Sequence, residues 1–346
     1  MVTQLSKVEI EPGLKIAAQM SPEPSEEDLQ FVKQMGIDYV VLWTDASKAS
    51  YEYFASRRKL FENHGLKIYG FGNRDVHNQD AIVLGLENRD AKVEQYKQHL
   101  RDLGRAGIPY TTYAHMANGI WSTDRETTRG GASARAFDLA KAEKGHWNGR
   151  YYYTPLSHGR RYTPEEIWDN FTRFIQEVAP VAEEDDVKIG IHPDDPPQPE
   201  LAGVPRCIFS SYDGYQRALE IADSPNVGIC FCVGCWLEGG PLMGKDVLSS
   251  IRDFGRAGKI FKVHFRNVSA PLPHFVETFV DNGYMDMYQV MKTLREVNFD
   301  GVIIPDHIPL MANDPRVGTA YTIGYMKALV QRANEEVAAS QAGAPA

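Results

Sequence analysis

The chain has 346 residues, of which 43% are hydrophobic and 24% charged, so it can bury a core without disulfides or a structural metal. Its 37 basic and 46 acidic residues give a net charge of −9, which argues against nucleic acid or an anionic membrane as the main partner. It contains no apolar run of membrane-spanning length and no recognisable signal peptide, and three of its four cysteines fall within six residues, which predicts a globular protein of the reducing cytoplasm.

Short apolar runs, rich in β-branched and aromatic residues, alternate along the chain with longer segments of helical period. In chain order the predicted strands are Leu14–Gln19, Tyr39–Trp43, Leu66–Phe71, Tyr110–His115, Val187–His192, Val227–Cys232, Ile260–Phe265 and Gly301–Pro305. Several runs are continuously apolar, as is typical of strands covered on both faces. Eight strand–helix units predict an α/β fold with a single (β/α)8 TIM barrel, and a doubly wound open sheet is the alternative.

Helix-start and helix-stop signals stand between the predicted strands. Ser25 precedes Asp28 by three residues, as in a capping box, and Thr163 stands before a proline in the N-cap position of a long amphipathic segment. Two further amphipathic segments end at Gly107 and Gly258, and glycine is the residue that most often closes a helix. These signals support the alternation of strands and helices.

One connection is far longer than the usual loop of about 2–6 residues between a strand and its helix. Residues 116–162, after the fourth strand, contain many glycines together with Trp121, Trp147 and a run of three tyrosines. A disordered insert would be poorer in aromatic residues, so we expect a folded flap over the active-site face. The remainder of residues 1–337 forms the barrel in this interpretation, and residues 338–346 form a disordered tail.

Four residues with metal-binding side chains close or follow the last four strands. They are His192, Cys232, His264 and Asp306, at intervals of 40, 32 and 42 residues, each about one strand–helix unit. The carboxyl ends of barrel strands converge on the face that holds the active site, so two imidazoles, a thiolate and a carboxylate are expected to meet there. This mixture of ligands suits Mn²⁺, Fe²⁺ or Zn²⁺.

Each of these residues also has an ordinary structural interpretation. A histidine at a strand end is commonly a hydrogen-bonded core residue, and a cysteine in an apolar strand commonly acts as a small hydrophobic residue. Cys230 fits that description, and Cys235 is expected to line the following loop. A zinc knuckle built from the clustered cysteines lacks a fourth ligand at suitable spacing.

The local motifs favour the metal site. The segment IHPDDPP at Ile191–Pro197, followed in order by KVHFRNV, FVETF and IPDH and preceded by YAHMANGIWSTD, resembles the mannonate dehydratase family, with the chain as a divergent member. The resemblance covers most of the chain. It implies a carbon–oxygen lyase, a metal-dependent hydro-lyase with a xylose-isomerase-like barrel that acts in hexuronate catabolism.

Carried over by position, the resemblance implies the same four metal ligands, with Mn²⁺ as the expected ion and Fe²⁺ as the alternative. It implies that His307 and Tyr321 transfer protons, although Tyr321 also fits a core aromatic residue of the last helix. The resemblance places Arg266 and Asn267 near the substrate. We also expect substrate contacts from Asp194, which follows a proposed ligand, and from Trp121 of the flap. A salt bridge at the barrel mouth is the alternative role of Arg266, and orientation of a metal ligand is that of Asp194.

Four positions depart from the usual family pattern. The arginine before Pro-Asp-His is Ile304, the glycine after it is Ile308, the serine of Cys-x-Gly-Ser is Cys235, and a histidine after Glu277 is replaced by Val280. The expected metal ligands are retained, whereas several groups expected near the substrate are not. The departures therefore bear on the substrate more than on the metal.

The family reaction converts D-mannonate to 2-keto-3-deoxy-D-gluconate and water. A base takes the C2 proton, an acid protonates the departing C3 hydroxyl, and a divalent ion stabilises the negative charge that develops. The alternatives are a metal-dependent isomerase or epimerase acting on another sugar or sugar acid, and a sugar-binding barrel without activity, which has no need of an acid–base pair. We expect a small sugar acid as partner, no nucleic acid or membrane, and a homo-oligomer, a dimer or larger.

Overall fold

The computed structural model describes residues 4–312 and 314–342. The large sheet of this part of the chain consists of β1 (Lys15–Met20), β2 (Tyr39–Thr44), β3 (Lys67–Asn73), β4 (Tyr110–Ala114), β5 (Lys188–His192), β6 (Val227–Cys232), β7 (Ile260–Phe265) and β8 (Val302–Pro305). Each strand lies within two residues of its predicted position, because the sequence marks both ends of these apolar runs.

The strands of this sheet follow one another in the order β3-β2-β1-β8-β7-β6-β5-β4, and the paired neighbours run parallel. The two outermost strands of this order meet, since the Thr111 hydroxyl of β4 donates a hydrogen bond to the carbonyl oxygen of Phe71 in β3 at 3.0 Å. This is the ring of a (β/α)8 barrel. The predicted TIM barrel is confirmed, and the doubly wound alternative is excluded.

Helices link the strands and cover the outside of the barrel. They are α1 (Glu26–Gln34), α2 (Tyr51–Asn63), α3 (Arg74–His77), α4 (Asp80–Leu84), α5 (Arg89–Arg105), α6 (Pro164–Glu184), α7 (Tyr212–Ala222), α8 (Val233–Gly239), α9 (Val247–Arg256), α10 (Met287–Glu296) and α11 (Pro315–Ala342). The capping box of Ser25 and Asp28 begins α1, and Thr163 forms a second one with Glu166 at the start of α6. Both helices therefore begin where the sequence predicts.

The inside of the barrel is packed with side chains rather than open. The apolar residues of this inner cluster are Ala17, Tyr39, Val41, Tyr69, Tyr110, Phe261, Val302 and Ile304. Lys262 is also fully buried in β7, where its ammonium group donates to the Thr112 hydroxyl at 3.0 Å. Because this packing closes the lower part of the barrel, chemistry is confined to the carboxyl ends of the strands.

A close approach of β3 to β4 makes Gly70 necessary for closing the barrel. A Cβ atom at Gly70 would lie 2.5 Å from Cδ1 and 3.0 Å from the carbonyl oxygen of Tyr110, which is itself buried. We expect Gly70→Ala to lower the free energy of unfolding by about 1–3 kcal/mol, as overpacking of a core does. Urea denaturation measures this loss.

The matched control for this prediction is Gly324→Ala. Gly324 lies within α11, and a Cβ atom there meets no heavy atom within 4 Å. Alanine is expected to raise stability there by about 0.5–1 kcal/mol, because glycine inside a helix is entropically costly. Equal unfolding free energies for Gly70→Ala and the wild type would contradict the close approach of β3 to β4.

Residues 116–162, which we call the long segment, contain several short elements. These are the strands Ile120–Trp121, Glu126–Thr127, Ser133–Ala134, Ala136–Asp138, Lys144–Trp147 and Arg150–Tyr153, with the 3₁₀ turns Arg129–Gly131 and Leu139–Lys141. Ala136–Asp138 pairs antiparallel with His274–Thr278, which in turn pairs with Asn267–Val268 just after β7. The long segment is thus joined to the carboxyl end of the barrel.

The remaining described elements are the short strands Glu200–Leu201 and Val204–Pro205 and the 3₁₀ turn Gly240–Met243. At the other end of the chain, α11 continues to Ala342, which corrects the expected tail over residues 338–342; residues 343–346 lie outside the described part. Among the residues that the structure describes, no helix combines the length and apolar character needed to cross a membrane.

Candidate metal centre and active site

The four predicted metal ligands lie at the carboxyl ends of four adjacent strands. Cys232 ends β6 and stands opposite His264 in the β6–β7 ladder, His192 ends β5, and Asp306 directly follows β8. The rings of His192 and His264 are 5.0 Å apart between centroids. The candidate ligand atoms of Cys232, His264 and Asp306 lie within 4.8 Å of one another. The structure therefore brings this predicted set together.

The donor atoms of this set suit a bound cation. Both ring nitrogens of His264 are buried and lack a hydrogen-bond partner among the described residues, and the nearest carboxylate oxygen of Asp306 is 3.6 Å from Nδ1. The Nδ1 atom of His192 lies 2.7 Å from the carbonyl oxygen of Pro193, an arrangement that leaves Nε2 free to act as a ligand. Buried, unpaired imidazole nitrogens next to a thiol and a carboxylate fit Mn²⁺, Fe²⁺ or Zn²⁺.

The buried cation Arg266 contacts two of the four proposed ligands, Cys232 and Asp306. Its guanidinium is fully buried and lies 2.7 Å from Glu238, 3.1 Å from Asp306 and 3.3 Å from the sulfur of Cys232, and it also pairs with Glu277. Burial opposes ionisation of the Cys232 thiol, but hydrogen bonding and this positive charge outweigh it and hold the pKa of Cys232 well below its usual value. The donors of Arg266 face protein groups, which favours its alternative role as a salt-bridge partner.

A second buried arginine comes from the long segment. Arg135 lies 2.6 Å from Asp195 and 2.8 Å from Glu277, and it donates to the carbonyl oxygen of Trp121 at 2.7 Å. Sequence reasoning missed Arg135, Glu238 and Glu277 as parts of the site. The sequence offered one signal for Arg135: it is the only charged residue in the run ASARAF, whose other residues are small or apolar.

His307 lies between this charged network and open space. Its Nδ1 atom is 2.7 Å from Glu277 and its Nε2 atom 3.6 Å from Asp306, while 37% of its side chain remains exposed. Burial disfavours the imidazolium, but the carboxylates of Asp306 and Glu277 outweigh it and raise the pKa of His307 to about 9. Its φ of 43° is unusual for a residue other than glycine, and such conformations cluster at functional sites.

Two cavities open at the carboxyl ends of the strands. One of about 250 Å³ is lined by His307, Gln19 and neighbours from the loop after β8. The other, of about 460 Å³, is lined by Gln19, Trp43 and Arg74, with further polar residues after β1 and β2. Gln19 lines both cavities, so the larger one, near the ends of β1 and β2, is a neighbour of the one beside His307.

Three residues expected to bind substrate are buried, and two of them, Trp121 and Asn267, turn their polar groups toward the protein. Trp121 is fully buried and its indole nitrogen donates to the carbonyl oxygen of Asn118 at 3.1 Å. The Asn267 amide donates to the backbone carbonyls of Val280 and Met285. Asp194 is only 2% exposed, and its burial raises the pKa to about 6. Trp121 and Asn267 thus stabilise loops of the site rather than face its cavity.

Tyr321 lies on α11 beside the long segment and is 36% exposed. Its hydroxyl is 3.3 Å from the guanidinium of Arg129, which also pairs with Asp281, and its ring packs edge-on against Phe279. No hydrogen bond in the described part of the chain joins Tyr321 to His307. The structure therefore places the two predicted proton-transfer residues in separate contacts.

Of the four positions that depart from the family pattern, Ile308 lines the smaller cavity beside His307, and the other three divide into two groups. Ile304 is 1% exposed and belongs to the apolar cluster inside the barrel, and Val280 is likewise buried. Cys235, by contrast, lies at the metal centre, with its sulfur 3.4 Å from the Arg266 guanidinium. Ile304 and Val280 thus replace polar residues by apolar ones, whereas Cys235 adds a second sulfur beside Cys232.

The sequence matches the D-mannonate dehydratase (UxuA) family profile over residues 23–149 and 153–338. A mannonate dehydratase from Enterococcus faecalis is 34% identical over 72% of this chain and 75% of its own length, and one from Oceanobacillus iheyensis is 32% identical over 72% and 74%. The crystal structure of mannonate dehydratase from Streptococcus suis superposes with a TM-score of 0.82 at 26% identity and covers 95% of both chains.

Proposed function

The chain belongs to the D-mannonate dehydratase family, and from that membership we propose that it removes water from D-mannonate to give 2-keto-3-deoxy-D-gluconate. The observation that carries this proposal is the meeting of four metal-binding side chains beside a half-exposed histidine at the barrel mouth. Cofactor, proton donor and substrate space adjoin one another there, as a hydro-lyase requires.

We propose His192, Cys232, His264 and Asp306 as the ligands of one divalent ion, Mn²⁺ with Fe²⁺ as the alternative. A bound ion supplies Lewis acidity, which lowers the cost of the negative charge that develops on the substrate carboxylate when the C2 proton leaves. Arg266 serves as a positioning residue, because its guanidinium contacts both Cys232 and Asp306 and keeps them ionised and oriented.

His307 and Tyr321 are the proposed proton-transfer residues. Dehydration needs a base that takes the proton from C2 and an acid that delivers a proton to the C3 hydroxyl, so that water leaves and the resulting enol rearranges to the keto acid. His307 faces the smaller cavity and is oriented by Glu277, which supports a direct role. Tyr321 adjoins the long segment through Arg129, which supports a position at the edge of the same mouth.

For the substrate chain we propose the cavity toward β1, β2 and β3. The donors of Arg266 and Asn267 are directed to protein groups, so polar contacts to hydroxyls must come from other residues. Gln19, Trp43 and Arg74 line the larger cavity, which shares Gln19 with the cavity beside His307. We propose that the carboxylate end of a sugar acid lies at the metal centre and that the rest of its carbon chain lies in the larger cavity.

The proposed setting is the cytoplasm, with a homo-oligomer as the working form. The four cysteines are free thiols in the structure, which agrees with a reducing compartment.

The test is turnover of D-mannonate by protein that has been stripped with a chelator and reloaded with Mn²⁺. We expect the 2-keto-3-deoxy acid to form only after reloading, at an ordinary enzymatic rate of about 1–10³ per second. Mass spectrometry distinguishes this product, which is one water lighter than D-mannonate, from the product of an isomerase, which has the same mass as D-mannonate. Reloaded protein that binds the ion but releases no dehydrated product would refute the dehydratase assignment.

A further inference from the structure

The proposed metal centre contains a second sulfur, that of Cys235, beside the sulfur of Cys232. Cys232 ends β6 and is also the N-cap of α8, so its sulfur accepts a hydrogen bond from the backbone N–H of Cys235 at 3.4 Å. Both side chains are fully buried. The first turn of α8 thus holds two thiols side by side, where the usual family motif carries a cysteine and a serine.

These two sulfurs share a neighbour among the proposed ligands. The candidate ligand atoms of His192, Cys232 and Cys235 lie within 4.8 Å of one another, as do those of Cys232, His264 and Asp306. Cys232 is common to both groups, so one centre offers two overlapping sets of donors. One set contains two sulfurs and a nitrogen, and the other contains a sulfur, a nitrogen and an oxygen.

We propose that Cys235 is a metal ligand and that His192, Cys232 and Cys235 form a second, thiolate-rich mode of binding for a thiophilic ion such as Zn²⁺. The inference rests on the proposed function, because it concerns the ion of the same centre. Zn²⁺ binds thiolates at about 2.3 Å and imidazoles at about 2.0–2.1 Å in tetrahedral sites, so its ligand atoms lie close to one another, as they do here.

One buried cation contacts both sulfurs. The Nη2 atom of Arg266 lies 3.3 Å from the sulfur of Cys232 and 3.4 Å from that of Cys235. The same guanidinium pairs with Glu238, Glu277 and Asp306. Arg266 therefore fixes the positions of both sulfurs relative to the carboxylates of the site.

The two modes exclude each other. Cys232 and His192 can each bind only one ion at a time. An ion bound by His192, Cys232 and Cys235 therefore leaves His264 and Asp306 without two of the ligands they need for the four-ligand site. Soft thiolates favour Zn²⁺, whereas the four-ligand set of the proposed function, with one carboxylate and two imidazoles, also suits Mn²⁺. Zn²⁺ is thus expected to compete with Mn²⁺ more strongly in this chain than in a variant with serine at position 235.

Cobalt spectroscopy tests the assignment without substrate. Co²⁺ is added to the stripped full-length protein, and the sulfur-to-cobalt charge-transfer absorption is compared between wild type, Cys235→Ser and Cys207→Ser. We expect Cys235→Ser to retain about half of the wild-type intensity, since one of two thiolates remains. Cys207, whose sulfur lies 3.8 Å from the Pro164 carbonyl and away from the centre, is the matched control and should leave the spectrum unchanged.

Two further measurements guard against a variant that merely misfolds. X-ray absorption of Zn²⁺-loaded wild type should show two sulfur ligands at about 2.3 Å. In competition dialysis, the preference for Zn²⁺ over Mn²⁺ should fall at least about 10-fold in Cys235→Ser. Residues that only orient a ligand already contribute about 10–100-fold to metal affinity, so loss of a ligand should cost at least the lower value. A single sulfur in the wild type, or equal cobalt spectra of wild type and Cys235→Ser, would overturn the inference and leave the dehydratase proposal intact.

A two-sulfur site in protein that does not dehydrate mannonate would support the inference and overturn the dehydratase proposal.

Discussion

Replacing His264 by alanine is expected to release Mn²⁺ from the proposed metal centre and to abolish dehydration. His264 stands between Cys232 and Asp306, and neither of its buried nitrogens has another partner in the described part of the chain. Loss of a partner that only orients a ligand typically costs about 10–100-fold in metal affinity, so loss of the ligand itself should cost more. Metal analysis of dialysed protein and turnover of D-mannonate measure the two effects.

The control for this prediction is His64→Ala. His64 ends α2, far along the chain from the centre, and pairs with Glu26 on the protein surface. This variant should keep both metal and turnover. If Mn²⁺-loaded His264→Ala retained a full equivalent of Mn²⁺ after dialysis, His264 would be removed from the proposed ligand set.

Replacing His307 by asparagine is expected to lower kcat by about 10²–10⁴-fold while the ion stays bound, which is the usual contribution of a proton-transfer residue. Asparagine is chosen because it tolerates the positive φ of this position and its amide can replace the Nδ1 hydrogen bond to Glu277. It cannot transfer a proton at neutral pH. The change should therefore remove the chemistry and retain the geometry.

Steady-state kinetics on metal-analysed protein check this expectation, with Tyr321→Phe measured beside it. Phenylalanine keeps the ring contact with Phe279 and removes only the hydroxyl near Arg129. A loss of kcat in both variants would support the proposed pair. A kcat near that of the wild type in His307→Asn would exclude His307 as a proton-transfer residue.

The barrel and the metal-binding set follow from local sequence patterns. Each strand is a short apolar run with clear ends, and parallel strands in a barrel bring their carboxyl ends together. The spacing of His192, Cys232, His264 and Asp306 therefore predicts that they meet, and the local motifs favour their role as metal ligands. The reasoning succeeds because these residues lie on the regular part of the fold. Their positions need no knowledge of how any loop packs.

The rest of the site depends on contacts between distant loops. Arg135 reaches Glu277 only because Ala136–Asp138 pairs with His274–Thr278, and no local pattern announces that pairing. The same holds for Arg266, whose side chain was open to a substrate role until the structure placed Glu238 and Glu277 around it. Strand ends are predictable, whereas the partners of a buried charge are set by tertiary packing.

The order of the strands also has a consequence for synthesis of the chain on the ribosome. β1 is among the first elements to emerge, yet it pairs with β8, and the strand Ala136–Asp138 of the long segment waits for His274–Thr278. Both pairings can form only when most of the polypeptide has left the exit tunnel, since the nascent chain grows from the N-terminus. The first half of the barrel therefore keeps unpaired strand edges until the second half has been made, and such edges are prone to aggregate.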